Sequence, residues 1–143
     1  MNRNVVAIVA LLGCSSPLDV DVIPVDITGD PIVSPLERSA FSVTAENSGS
    51  ERIVWGMGSS SCQLGLAVIV ADERYEIATR TCTGDFVELG LDPGGTRTEV
   101  FLWGGEIIVD DEVVVLGPGR YQVFGYAGER AESKRIWVTV VET

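Results

Sequence analysis

The sequence predicts an all-β fold, an antiparallel β-sandwich of about seven to eight strands. Two observations carry that expectation. From about Arg38 onward, short apolar runs and apolar–polar alternations recur at roughly 8–12-residue intervals, separated by glycine-rich turns. No apolar stripe with a 3.6-residue period persists over several helical turns, so helix content should be low.

The strand signals follow in order. FSVTAEN (41–47) puts Phe41, Val43 and Ala45 on one face and Ser42, Thr44 and Glu46 on the other. RIVWGMG (52–58) does the same with Ile53, Trp55 and Met57. LGLAVIVAD (64–72) is apolar on both faces, as a strand in the middle of a sheet is. YEIA (75–78), DFVELGL (85–91), TEVFLW (98–103), EIIV (106–109), YQVFGYAG (121–128) and KRIWVTVV (134–141) complete the series. Residues 38–143, roughly 105 of them, suffice to bury a single core. Trp55, Trp103 and Trp137 are expected inside it. The acidic stretch 103–117 reads as a hairpin with Asp110, Asp111 and Glu112 at its tip. Such a tip either presents a loop to a partner or simply protects a sheet edge from aggregation.

Two turns contain Pro-Gly: Leu91-Asp92-Pro93-Gly94 and Leu116-Gly117-Pro118-Gly119. Proline followed by glycine suits the two central positions of a type II turn. The second turn runs into Arg120-Tyr121-Gln122-Val123. A leucine, a turn and then a tyrosine entering an alternating strand resembles the tyrosine corner of immunoglobulin-like sandwiches. There the phenol hydrogen-bonds to backbone at the sheet crossover. Tyr121, Pro118, Gly119, Pro93 and Gly94 are therefore expected to be structural.

The N-terminus carries a different message. Arg3 precedes VVAIVALLG (5–13), an apolar run about half the roughly 20 residues that cross a bilayer. A basic start, a short apolar centre and a small residue fit a secretory signal. Leu11-Leu12-Gly13-Cys14 resembles the lipobox of bacterial lipoproteins. The resemblance implies cleavage before Cys14, diacylglyceryl transfer to its sulfur and acylation of the new amine. Several buried acyl chains, at about 0.8 kcal/mol per CH₂, hold a protein stably where one does not. Ser15 after the cysteine implies sorting to the outer membrane in a Gram-negative cell. The competing reading is a buried N-terminal strand with a chance cysteine.

Residues 14–37 then hold Pro17, Pro24, Pro31 and Pro35, four of the six prolines, and read as an extended spacer. Within it LDVDV (18–22) and VDI (25–27) alternate with period two, which suggests an edge strand docking on the domain. Asp19, Asp21, Asp26 and Asp30 do not follow the calcium-loop spacing, because Pro24 stands where that loop needs glycine. They read as solvated carboxylates.

The formal charge is −11, and removing residues 1–13 deletes only one charge, that of Arg3, making the remainder more acidic still. Such a surface repels nucleic acid phosphates and anionic headgroups. With Cys14 given to lipid, Cys62 and Cys82 remain as an even pair in an exported chain, and a disulfide is expected. Free thiols would belong to a reducing compartment. The pair is too close in sequence for the inter-sheet bridge of antibody domains, so it should tie neighbouring strands or a hairpin base. The chain contains no histidine, which excludes Ser-His-Asp and Cys-His catalysis and histidine-bearing zinc sites. Lys134 is the single lysine, with no Ser-x-x-Lys before it. No enzyme activity, no metal and no cofactor are expected.

Across residues 41–141 the order of signals resembles the BsuPI family of proteinase inhibitors. The matching pieces are VTAEN (43–47), SSSCQ (59–63), LDPG (91–94), VFLW (100–103) and PGRYQV (118–123). The resemblance implies an immunoglobulin-like sandwich and, as one function, inhibition of serine proteinases. That family works in the cytoplasm without a disulfide, and both features differ here. The leading expectation is an exported, lipid-anchored module that binds or positions another envelope protein. An envelope proteinase inhibitor is the alternative.

Overall fold

The computed structural model describes residues 23–78, 80–129 and 131–142. Thirteen strands follow in chain order: β1 (Val25–Gly29), β2 (Ile32–Val33), β3 (Ser39–Glu46), β4 (Ile53–Gly58), β5 (Gly65–Val70), β6 (Glu73–Glu76), β7 (Val87–Leu91), β8 (Thr96–Trp103), β9 (Glu106–Val109), β10 (Glu112–Val115), β11 (Gly119–Ala127), β12 (Ala131–Glu132) and β13 (Ile136–Val140). No helix occurs among the described residues. The protein is an all-β sandwich.

One layer is the antiparallel sheet β1-β3-β8. The other is β2-β13-β11-β5-β6, with the short β12 added to β11. Its pairings are antiparallel except β2 with β13, which is parallel. The first stretch of chain thus changes sheets: β1 runs along β3, and after Pro31 the chain moves across to β13. The Thr139 amide donates to the Pro31 carbonyl oxygen at 2.7 Å and fixes the crossing. Smaller pairs complete the fold, β4 with β7 and β9 with β10.

Alternation explains the core. On β3, Phe41, Val43 and Ala45 are fully buried while their neighbours are not. They meet Phe101 and Trp103 of β8, Leu66 and Val68 of β5, Val123 of β11, and Val138 and Val140 of β13 in one cluster. Phe41 and Trp103 stack edge to face with centroids 5.9 Å apart. The Trp103 indole N–H donates to the Glu106 carbonyl oxygen at 2.7 Å, so its one polar group is satisfied in the interior. Truncating such an aromatic typically costs about 3–5 kcal/mol. Gly65 faces Tyr126 across the β5–β11 ladder, and a Cβ there would overlap the phenol ring, so only glycine lets that ring lie on the sheet.

The turns follow their residue types. Ala71-Asp72 and Asp110-Asp111 both have positive φ at both positions (49° and 66°, 49° and 64°), which gives two-residue type I′ hairpins after β5 and β9. At Asp92–Gly95 the Gly95 amide donates to the Asp92 carbonyl oxygen at 2.9 Å, and Gly94 has φ 74°, the type II geometry.

Three expectations need correction. The sandwich does not begin at Arg38: VDI (25–27) lies in β1, an edge strand docked on β3 as its alternation suggested, and the burial of Ile23, Ile27 and Val33 builds part of the proline-rich stretch into both layers. Proline there marks edge positions, where a missing donor costs nothing. Pro118-Gly119 is not a type II turn, because Gly119 is already extended in β11 and paired with Val140. Trp137 is not in the core. Val138 and Val140 take the inward positions of β13, and strict alternation leaves Trp137 53% exposed on the other face.

Candidate functional site

The sequence singled out the two cysteines, and the structure joins them: Cys62 and Cys82 form a disulfide, sulfurs 2.07 Å apart. Cys62 follows β4 and Cys82 precedes β7, so the bridge caps the end of an antiparallel pair whose last register partners are Gly58 and Val87. Closing a loop of this size stabilises by about 3 kcal/mol in the chain-entropy model. Beside it the Asp85 carboxylate gathers the Ser60 amide at 3.2 Å, the Ser59 hydroxyl at 3.3 Å and the Thr83 hydroxyl. The Ser60 and Thr83 hydrogen bonds hold its pKa down to about 2.

The same loop is braced from below by Glu99. This residue shares a face of β8 with Phe101 and Trp103, and its carboxylate is almost fully buried. Its Oε2 accepts from the Gln63 and Leu64 amides at 3.0 and 2.7 Å and from Arg97 Nε at 2.9 Å. Its Oε1 accepts from Arg80 at 2.8 Å. Arg80 also donates to the Leu64 carbonyl oxygen at 2.6 Å and lies over the Phe101 ring at 4.7 Å. Burial lowers the Arg80 pKa, with Glu99 opposing that effect. Arg97 reaches on to the Ser60 carbonyl oxygen at 2.9 Å. The exposed Ser59–Cys62 loop is therefore held by the disulfide, Asp85 and Arg97, and the Gln63–Leu64 segment behind it by Glu99 and Arg80. Sequence reading missed Glu99. The signal was present, an acid at the inward position of TEVFLW, two residues from Phe101.

A second candidate surface is the outer face of the sheet β2-β13-β11-β5-β6. Residues opposite one another in a ladder share a face, so Trp137, Gln122, Ile69 and Arg74 form one row across four strands. The Arg120 guanidinium lies over the Trp137 ring at 5.0 Å. Arg74 and Arg135 each lie 5.3 Å from the Phe124 ring, which is fully buried although it points outward. Arg74 also covers Tyr126 at 4.2 Å and pairs with Glu76 and Glu132. Burial, together with the hydrogen bond from the Tyr126 hydroxyl to Glu76, pushes the ionisation of that phenol well above its ordinary value.

No protein-family model matches the chain. No curated protein matches it either. Among solved structures it is similar to a β-glucosidase from Erythrobacter marinus, at 17% identity and TM-score 0.49, over 83% of this chain and 16% of that one. A β-glucosidase involved in saponin metabolism from intestinal bacteria gives 18% and 0.46, over 84% and 16%. One from Listeria innocua gives 16% and 0.45, over 82% and 16%. This chain spans about one sixth of the length of those proteins.

The remaining expected residues fall as follows. Cys14 lies outside the described residues, as do Asp19 and Asp21. Tyr121 enters β11, and its hydroxyl donates back to the Gly117 carbonyl oxygen at 2.8 Å. Pro93 and Gly94 form the turn between β7 and β8, at the opposite end of the sandwich from Pro118 and Gly119. Asp110 and Asp111 are the two turn residues of the β9–β10 hairpin. No group of three or more metal-ligand side chains occurs among the described residues.

Proposed function

We propose that this protein is an exported lipoprotein, held to a bacterial membrane through Cys14, whose sandwich is a binding module for another envelope protein. The observation that carries the binding part is the exposure of Trp137 and Ile32, 53% and 56%, on the outer face of the larger sheet. Tryptophan beside arginine is the composition of protein-interface hot spots. The anchoring part rests on the LLGC motif at 11–14. Cys14 and Ile23 are nine positions apart, so the tether reaches at most about 30 Å at 3.3–3.6 Å per residue. The module would work close to the membrane surface.

The test is a photo-crosslinking residue at position 137 in the full chain, made in its own cell and followed by fractionation. The chain is expected in the membrane fraction, joined to one envelope protein. A chain in the cytosol, or one that crosslinks to nothing, contradicts the reading.

A second reading draws on the Ser59–Cys62 loop. It is exposed and fixed by the disulfide, Asp85 and Arg97, and a loop that is already ordered loses little entropy on binding. Such a loop suits an inhibitor of serine proteinases. Stoichiometric loss of activity across a panel of these enzymes would favour it over the first reading.

A further inference from the structure

The β9–β10 hairpin leaves one edge of the fold open. β10 has β9 on one side and no strand on the other among the described residues. One step beyond the register partners Val115 and Glu106, the Leu116 amide donates to the Gly105 carbonyl oxygen at 2.8 Å. Hydrogen-bonded pairs alternate along an antiparallel ladder, so Glu112 and Val114 also bond inward to β9. The amides and carbonyl oxygens of Val113 and Val115 therefore point away from β9, and they meet no partner among the described residues. The side chains are as open as the backbone. Val113 and Val115 are 64% and 53% exposed on one face, and Val114 is exposed on the other. Beside Val115 lies a shallow groove of ≈ 330 Å³, walled by Pro35, Leu116, Pro118 and Val141, with Glu142 its one charged residue. Asp110, Asp111 and Glu112 precede the valines, and neither they nor Glu142 form an ion pair among the described residues. Arg38, close in sequence to Pro35, is held by Glu106, and Arg120, close to Pro118, lies over Trp137.

We propose that β10 accepts an extended segment of a partner polypeptide as an added strand, one whose apolar residues are followed by lysine or arginine. The proposal rests on the binding-module reading and adds to it a surface other than the Trp137 face, with the chemistry of the partner. Outward amides and carbonyl oxygens two residues apart match another extended backbone, and no lipid, sugar or nucleic acid offers that repeat. Valines on both faces fit a segment with apolar side chains on both faces. Charge on the strand itself guards an edge; here it stops at Glu112, and only valines follow within β10. Charge complementarity fixes the flank. An antiparallel segment sets the residues after its apolar stretch beside Glu112, Asp111 and Asp110, which no described cation of this chain neutralises. A second copy of β10 paired about Val114 would place Leu116, Gly117 and Pro118 there, with no cation, and would bring together two chains of net charge −11.

The test uses the full-length chain in detergent solution and a synthetic peptide of alternating valine and threonine ending in a lysine pair, followed by amide hydrogen exchange. Without peptide, the Val113 and Val115 amides should exchange fast and the Val114 amide slowly, because only the last is bonded within the hairpin. The peptide should slow Val113 and Val115 at least about tenfold. The same peptide N-methylated at every valine and threonine should slow neither. Val113→Pro removes an outward donor and no inward bond, so it should abolish the protection of Val115. Asp110→Asn, Asp111→Asn and Glu112→Gln together should weaken binding at least about tenfold, as should about 0.5 M salt. Asparagine suits the positive-φ turn, so the Val114 amide should stay protected in that variant.

Val113 and Val115 amides that stay unprotected in excess peptide overturn the proposal. So does an N-methylated peptide that protects them equally, or a glutamate-ended peptide that binds as well as the lysine-ended one. Protection that rises with the concentration of the chain alone assigns the edge to a second copy and overturns it too. Failure of the peptide while envelope crosslinks from position 137 persist removes this edge and leaves the binding module standing. Loss of every envelope crosslink removes the module, and this proposal with it.

Discussion

The hydroxyl of Tyr121 donates to the carbonyl oxygen of Gly117 at 2.8 Å, four residues back along the chain. The bond ties the start of β11, which pairs with both β5 and β13, to the segment leading in from the β9–β10 hairpin. This is the local arrangement of the tyrosine corner. Tyr121→Phe removes the donor and keeps the ring, so it should cost about 1 kcal/mol, the net value of one hydrogen bond. Urea unfolding measures it, and an unchanged midpoint would contradict a structural role for the phenol.

Glu99 is the keystone of the disulfide loop. Replacing it by glutamine removes the charge that faces Arg80 and Arg97 and weakens the bonds to two backbone amides. Breaking a buried pair typically costs about 3 kcal/mol or more. Glu99→Gln should show a loss of this order in chemical denaturation and faster amide exchange at Gln63 and Leu64. Stability within about 0.5 kcal/mol of the parent would mean that the cluster is incidental.

Asp85 makes stability depend on pH. Its folded pKa of about 2 lies below the ordinary 3.8, so between those values the unfolded chain binds the proton more readily. The stabilisation is complete above about pH 4 and is lost as the pH falls through 2. The stability gap between the parent and Asp85→Asn should close over that window. A carboxyl titration by nuclear magnetic resonance with its midpoint near 4 would remove the argument.

Trp137 and Trp103 should respond in opposite ways to truncation. Trp103→Ala empties a fully buried site beside Phe41 and should cost about 3–5 kcal/mol. Trp137→Ala removes an exposed ring and should stay within about 0.5 kcal/mol. Parallel thermal melts distinguish them. Equal losses would place Trp137 in the core after all.

Much of this architecture could be read from period-two patterning. Phe41, Val43 and Ala45 alternate in sequence and lie buried in a row, and LGLAVIVAD supplies β5, with a strand paired on each side. Where reading failed, the information was not local. Trp137 is apolar, and composition alone cannot say that Val138 and Val140 claim the inward side of β13. Pro24 and Pro31 suggested a spacer because proline removes a donor, yet edge positions tolerate that loss and Ile23, Ile27 and Val33 still reach the core. The pairing of β4 with β7 joins segments separated by two strands, which no local pattern encodes. Arg120 and Arg135 became visible as a unit only once the register set Arg120 opposite Thr139 and Gln122 opposite Trp137.

The central claim is that Cys14 carries lipid, and metabolic labelling with an alkyne-bearing fatty acid in the producing cell tests it most directly. The account expects label on the parent chain, with a mature N-terminus at residue 14, and none on Cys14→Ser. An unlabelled parent recovered from the cytosol with residues 1–13 still attached would contradict it.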